Sequence, residues 1–170
     1  MDIVFKAKHW QIFGIFIFLG LLDTVLKSID PLISAFSYIV FILFELGWIL
    51  VLGYGLARRQ NKLDSIDFKT FMTTGILLII VNSLSKLLNA TQIIESKTLG
   101  VAVTIVLVVY ALISLTIIYW YPAKMLKQLE TNRDIDINDY FGDIFRLLFL
   151  PIGIWTIQPR INKLTDFKLD

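Results

Sequence analysis

Glu45, Asn82 and Tyr110 are the polar side chains best placed to act together, because each falls near the middle of a different long apolar run. At the centre of a bilayer a charged group costs roughly 2.5–3.5 kcal/mol on insertion scales, so Glu45 must face protein or water. Two arrangements meet that need. In one, a neutral Glu45 donates to Asn82 with Tyr110 as a further partner, and this midplane cluster ties helices together by hydrogen bonds. In the other, Glu45 is the ionisable site of a proton or cation path. Asp23 and Lys86 form a second candidate pair, each about five residues outward of its run's midpoint, where opposite charges can meet without either crossing hydrocarbon alone. The rival is local: Asp23 and Lys27 stand four apart on one helix and can pair at its outer end while Lys86 snorkels.

Other constellations fail on spacing. Asp134-x-Asp136-x-Asn138 matches the start of a calcium loop, but Asp139 replaces the turn glycine and Phe145 the closing bidentate Glu. The expected role is a solvated acidic linker whose last residue, Asn138 or Asp139, caps the next helix. Asn138-Asp139-x-x-x-Asp143 is one residue too long for the magnesium-binding pattern of intramembrane prenyltransferases, and a second such cluster is missing. Gly53-Tyr54-Gly55 follows no strand, so it forms no phosphate loop. With His9 the only histidine and no cysteine, the chain lacks thiolate chemistry, disulfides, zinc–thiolate sites and His-based acid–base machinery. No enzyme activity, metal or cofactor is expected.

The elements that position these residues follow from composition. Of 170 residues, 56% are hydrophobic and only 18% charged, with a mean hydropathy of +0.73, which is more apolar surface than a soluble domain of this size can bury. The lipid bilayer is the expected solvent. A net charge of +2, with aromatics in apolar runs free of interleaved Arg or Lys, argues against nucleic acid. Four runs approach the roughly 20 residues that about 30 Å of hydrocarbon requires. They cover about 10–26, 32–56, 71–94 and 99–121. The first has a basic flank like a signal peptide, but it ends in Asp23 and Lys27 without a small-x-small cleavage site, and Trp10 suits an interfacial anchor. The second starts after Asp30-Pro31, where proline suits a helix start. The third carries a polar stripe of Asn82, Ser85, Lys86 and Asn89. The fourth closes on Tyr119-Trp120-Tyr121-Pro122, which reads as an aromatic belt and a helix stop.

Positive charge sets the threading. With the N terminus cytoplasmic, that side receives Lys6, Lys8, Arg58, Arg59, Lys62, Lys69, Lys124, Lys127, Arg133, Arg146, Arg160, Lys163 and Lys168. The far side keeps only Lys27 and Lys97 in its loops, so both termini are expected in the cytoplasm of a multi-pass inner (plasma) membrane protein.

After Arg146 come eleven residues, Leu147 to Ile157, before Gln158. As helix they reach only about 16 Å, half a bilayer, and an extended crossing leaves backbone amides unpaired in lipid. The expectation is an amphipathic interfacial helix over about 139–150, with Tyr140, Phe141, Ile144, Phe145, Leu148 and Phe149 on its apolar side and Asp139, Asp143 and Arg146 on the other. A turn at Pro151–Gly153 follows, then Trp155 anchored at the interface with Arg160 beyond it. A shallow re-entrant segment is the alternative.

Pro151-Ile-Gly-Ile-Trp155-x-Ile-Gln158-Pro-Arg160-Ile-Asn162 is similar to the closing segment of small, uncharacterised multi-helix membrane proteins of Bacteroidetes-type bacteria, and Lys8-His9-Trp10-Gln11 resembles the way many of them begin. The resemblance covers about twelve residues at one end and four at the other. It implies an inner-membrane location and supplies no catalytic residue.

The expected fold is therefore an all-α integral membrane protein. A four-helix transmembrane domain spans 1–122, a polar acidic linker 123–138, and a membrane-associated cytoplasmic tail 139–170. The expected function is that of a non-enzymatic membrane subunit or interaction protein that binds a membrane-protein partner or another copy of itself. The alternative is a small transporter or channel using Glu45.

Overall fold

The computed structural model describes residues 7–91 and 97–166, and within these the chain is all helix. The six helices are α1 (His9–Leu26), α2 (Pro31–Arg59), α3 (Ile66–Ala90), α4 (Lys97–Thr131), α5 (Ile137–Leu148) and α6 (Leu150–Asp166). Four are long and apolar enough to cross a membrane: α1, α2, α3, and α4 over Thr104–Thr131. The expected end of the third run at Ile94, and Lys6 and Lys168, lie outside the described residues.

Local sequence accounts for the helix ends. Asp30 caps α2 by accepting from the amides of Leu32 at 2.7 Å and Ile33 at 3.0 Å, with Pro31 as the first helical residue. At its far end Asn61 takes a left-handed φ of 55°, and Lys62 donates its amide back to the Ala57 carbonyl at 2.9 Å. That bond closes a Schellman cap, for which Asn is one of the few tolerated non-glycine residues. Ser65 caps α3 through the Phe68 amide at 3.2 Å.

Helix α2 is the central element, packed against α1, α3 and α4. It nests closely on α3, where a Cβ on Gly53 would run into the Phe71 ring and one on Gly75 into the Leu50 side chain. The buried core lies towards one end of the bundle. There Ile49, Leu52 and Leu56 of α2 meet Phe71, Ile118, Tyr121, Met125 and Leu126, and this core continues into Leu147, Ile154 and Ile157 of the last two helices. Towards the other end α3 and α4 turn apolar side chains outward, among them Ile80, Leu84, Ile105 and Val109.

Two expectations are corrected. Pro122 does not stop α4, which runs on to Thr131 and so removes most of the expected 123–138 linker. A proline inside a helix costs ~3 kcal/mol or more, but Ile118, Tyr121, Ala123, Met125 and Leu126 around it are all buried, and that packing holds the helix through the break. The aromatic trio is accordingly a packing junction: Tyr121 stacks on Phe71 at 4.7 Å, and the Trp120 indole donates to the Tyr140 hydroxyl at 2.8 Å.

The second correction concerns the tail. The chain breaks at Phe149 (φ −93°, ψ 68°), not at Pro151–Gly153, and α6 passes through both prolines. Pro151 falls in the first turn, where no amide bond is lost. Pro159 follows half-exposed Trp155 by four residues, so the bond it lacks lies on the outer side of α6. Gly153 is required by close approach, since a Cβ there would enter the Arg146 carbonyl as α6 folds back over α5. The result is a helical hairpin, α5 lying against α4 and α6 against α1.

Candidate functional site

The hairpin is fastened to the bundle by charge. Arg160 of α6 uses its planar fork twice, donating from Nε and Nη2 to the two Glu130 carboxylate oxygens, each at 2.6 Å, and from Nη1 and Nη2 to those of Asp143, at 2.6 and 2.8 Å. Arg146 adds a third donor to Asp143 at 2.7 Å. One guanidinium thus joins the last turns of α4 to both arms of the hairpin. The Asp143 side chain is only 3% exposed. Burial alone would raise its pKa, but the hydrogen bonds and charge of Arg160, then of Arg146, outweigh burial and hold the carboxyl below its usual range. For Arg160 burial works against the charge, yet Asp143 and Glu130 push its pKa upward.

Beside this seam, Gln158 is fully buried, and its amide donates to the Ala7 carbonyl and to Asn162 Oδ1, both at 3.1 Å. Asn162 donates to the same carbonyl at 3.4 Å. His9 lies tilted against the Trp155 ring at 4.4 Å, and Phe13 meets that ring edge-on at 5.7 Å. The start of α1 and the middle of α6 are therefore in contact with each other. Further links gather at this end: Gln60 to the Met125 carbonyl at 2.8 Å, Lys62 to Gln128 at 2.9 Å, and Lys124 to Asp67 at 3.4 Å with its ammonium over Trp120 at 4.6 Å.

The hairpin's outer side is different. Ile137, Phe141, Phe145, Phe149 and Ile152 are exposed apolar side chains, and Trp155 is half-exposed beside its contacts with His9 and Phe13 of α1. Asp143 was expected on the solvated side of α5; instead it turns inward with Tyr140 and Leu147, while Phe141, Phe145, Leu148 and Phe149 of the expected apolar side face out. The apolar residues of α5 share one broad face, but the bundle covers only its Tyr140–Leu147 edge, which Asp143 borders, and nothing local in the sequence says which edge that is.

The remaining predicted residues are dispersed. Asn82 donates to the Leu78 carbonyl of its own helix at 2.8 Å, and the buried Tyr110 hydroxyl has no hydrogen-bond partner among the described residues. Glu45 is half-buried, and among the described residues it makes no hydrogen bond to either. Asp23 accepts from the Ser37 hydroxyl at 2.7 Å across the α1–α2 contact, while the Lys86 ammonium lies over the Tyr38 ring at 5.1 Å. The structure brings Trp155 and Arg160 to one region but does not join Asp23 to Lys86 or to Lys27. Glu130, Gln158 and Asn162 were not singled out from sequence as site residues. No protein-family model, curated protein or solved structure matches this chain.

Proposed function

We propose that this chain is a small, non-enzymatic, multi-pass protein of the bacterial inner membrane, with both termini cytoplasmic, that displays the α5–α6 hairpin in the membrane interface as a rigid platform for a membrane-protein partner. One observation carries the reading. The hairpin is fixed from behind by Arg160, Asp143 and Glu130 while its outer side presents Phe141, Phe145, Phe149, Ile152 and Trp155. An exposed apolar patch on a rigid element marks an interaction surface. Its setting favours the interface, because Arg58, Arg59, Lys62, Lys69 and Lys124 cluster at the same end of the four long helices and short α5 and α6 are not among the candidate spans.

The test is isolation of the full chain in mild detergent beside a Phe141→Ser, Phe145→Ser, Ile152→Ser variant. The reading expects a partner in fixed ratio that the variant loses while its helices stay in the membrane fraction. Identical co-purifying proteins in both preparations would sink it. Transport through Glu45 is the second reading, favoured by that carboxyl's lack of a hydrogen-bond partner among the described residues. Proton or cation flux in liposomes containing the chain decides it.

A further inference from the structure

At the end of the bundle away from the hairpin, the structure holds a cavity of about 230 Å³ lined by Lys27, Pro31, Ser34, Lys86, Asn89 and Ala90. It lies where α1 ends, α2 begins and α3 ends, and among the described residues its walls carry no carboxylate. Lys27 and Lys86 are two of its walls, and among the described residues neither is in an ion pair, the Lys86 ammonium lying over the Tyr38 ring at 5.1 Å. The nearby acids are engaged elsewhere, Asp30 with the first amides of α2 and Asp23 with the Ser37 hydroxyl. Ser34 is 3% exposed, and its buried hydroxyl has no hydrogen-bond partner among the described residues. Two lysines, a carboxamide and a buried hydroxyl without a hydrogen-bond partner among the described residues therefore line one cavity. That set repels cations and suits an anion with several acceptor oxygens, which is the chemistry of a phosphate group.

A second cavity supplies what a free phosphate would not use. It measures about 210 Å³, lies between α3 and α4, and shares Asn89 as a wall. Leu78, Val81, Leu107, Val108 and Ala111 make most of its lining apolar. A charged pocket at a helix end beside an apolar slot running along the helices matches the two halves of a lipid. We propose that these cavities bind one anionic phospholipid, with its phosphate between Lys27, Lys86 and the Ser34 hydroxyl and one acyl chain in the α3–α4 slot. Basic pockets between membrane helices hold lipid head groups in this way. The site also accounts for the placing of Lys27 and Lys86 at the end where positive charge is scarce. It rests on the membrane setting proposed above but on none of the hairpin's residues.

The test is native mass spectrometry of the full chain released from nanodiscs of phosphatidylcholine to which phosphatidylglycerol is added. One phosphatidylglycerol should stay bound in preference to phosphatidylcholine. Lys27→Gln and Lys86→Gln should each weaken that retention roughly fivefold, the effect of one basic residue near an anionic surface. Ser34→Ala should weaken it less, and Lys62→Gln at the other end should leave it unchanged. Equal retention of both lipids, or unchanged phosphatidylglycerol in the Lys27→Gln, Lys86→Gln double variant, would overturn the site. If that double variant unfolds, Ser34→Ala alone decides, and unchanged retention counts against the proposal. Displacement of the lipid by inorganic phosphate at equal concentration would overturn the acyl-chain half. A chain that remains soluble with neither detergent nor nanodisc would overturn the membrane reading itself, before any lipid is added.

Discussion

Arg160 and Asp143 meet across the turn between α5 and α6, each of two guanidinium nitrogens donating to a carboxylate oxygen at 2.6 and 2.8 Å, and the carboxylate so held is almost sealed from solvent. Buried pairs of this kind add little net stability over apolar packing, but removing one member strands the other. Arg146 still donates to Asp143 when Arg160 is gone, so Arg160→Met should weaken hairpin docking by ~1–3 kcal/mol. The double variant Asp143→Leu, Arg160→Met should recover much of the loss. Hydrogen exchange of α6 amides in detergent measures both, and undiminished protection in Arg160→Met would show that apolar contacts alone hold the hairpin.

Acid should release the hairpin only at low pH. The folded Asp143 carboxyl lies below its ordinary value of 3.8, so its contribution is fully present above that value and is lost as pH falls below it through the depressed folded value. Protection of α6 amides should be flat from about pH 5 to pH 8 and fall only below about pH 4. A loss centred near neutrality would assign the docking to another group.

Gly153→Ala should be disproportionately damaging. Alanine is ordinarily the better helix former by about 1 kcal/mol, but here its Cβ would enter the Arg146 carbonyl, a backbone atom that cannot rotate away. The expected result is a lower unfolding temperature and faster proteolysis at residues 132–136. Gly142→Ala, where no atom lies within 4 Å of the added carbon, is the control and should be neutral or stabilising.

Glu45 separates the two functional readings. If it serves the bundle only as a neutral polar group, Glu45→Gln should behave as the parent in folding and size while Glu45→Leu differs. If it carries protons or cations, Glu45→Gln should fold and abolish flux in liposomes. Parental behaviour of both variants in both assays would leave Glu45 without a role.

Single cysteines report the threading cleanly, since the chain has none of its own. Exposed positions Asp64, Asp134 and Lys163 should be shielded from an impermeant thiol reagent in intact cells and react after lysis, while Ser28 should react from outside. Labelling at Lys163 with Asp134 protected would mean that the segment after Phe149 crosses the membrane.

The four long helices were legible because their signals are local and repeated: apolar length, Asp30-Pro31 at a start, Arg58-Arg59 at an end. What was not legible depends on tertiary packing. Pro122 reads as a stop in any local window, and only the burial of Tyr121, Ala123 and Met125 around it shows why the helix continues. Pro151 and Gly153 read as a turn for the same reason, although one suits a first helical turn and the other a close crossing. Arg160 and Trp155 were singled out, but their partners were not, because Glu130 and Asp143 lie 30 and 17 residues from Arg160 and no short-range pattern links them. The midplane trio shows the opposite limit. Equal depth was inferable from run lengths, but facing was not, and Asn82 bonds within its own helix.

The contact between Gln158 and the Ala7 carbonyl joins positions 151 residues apart in the chain. During synthesis this bond cannot form until α1 to α4 and the hairpin have all left the ribosome, so α1 waits for most of translation without α6. Among the described residues α1 has a single buried side chain, Ile12, and its other packing surface is α2. A nascent chain that stalls before α6 would leave His9 and Phe13 without the Trp155 ring that packs on them in the finished protein.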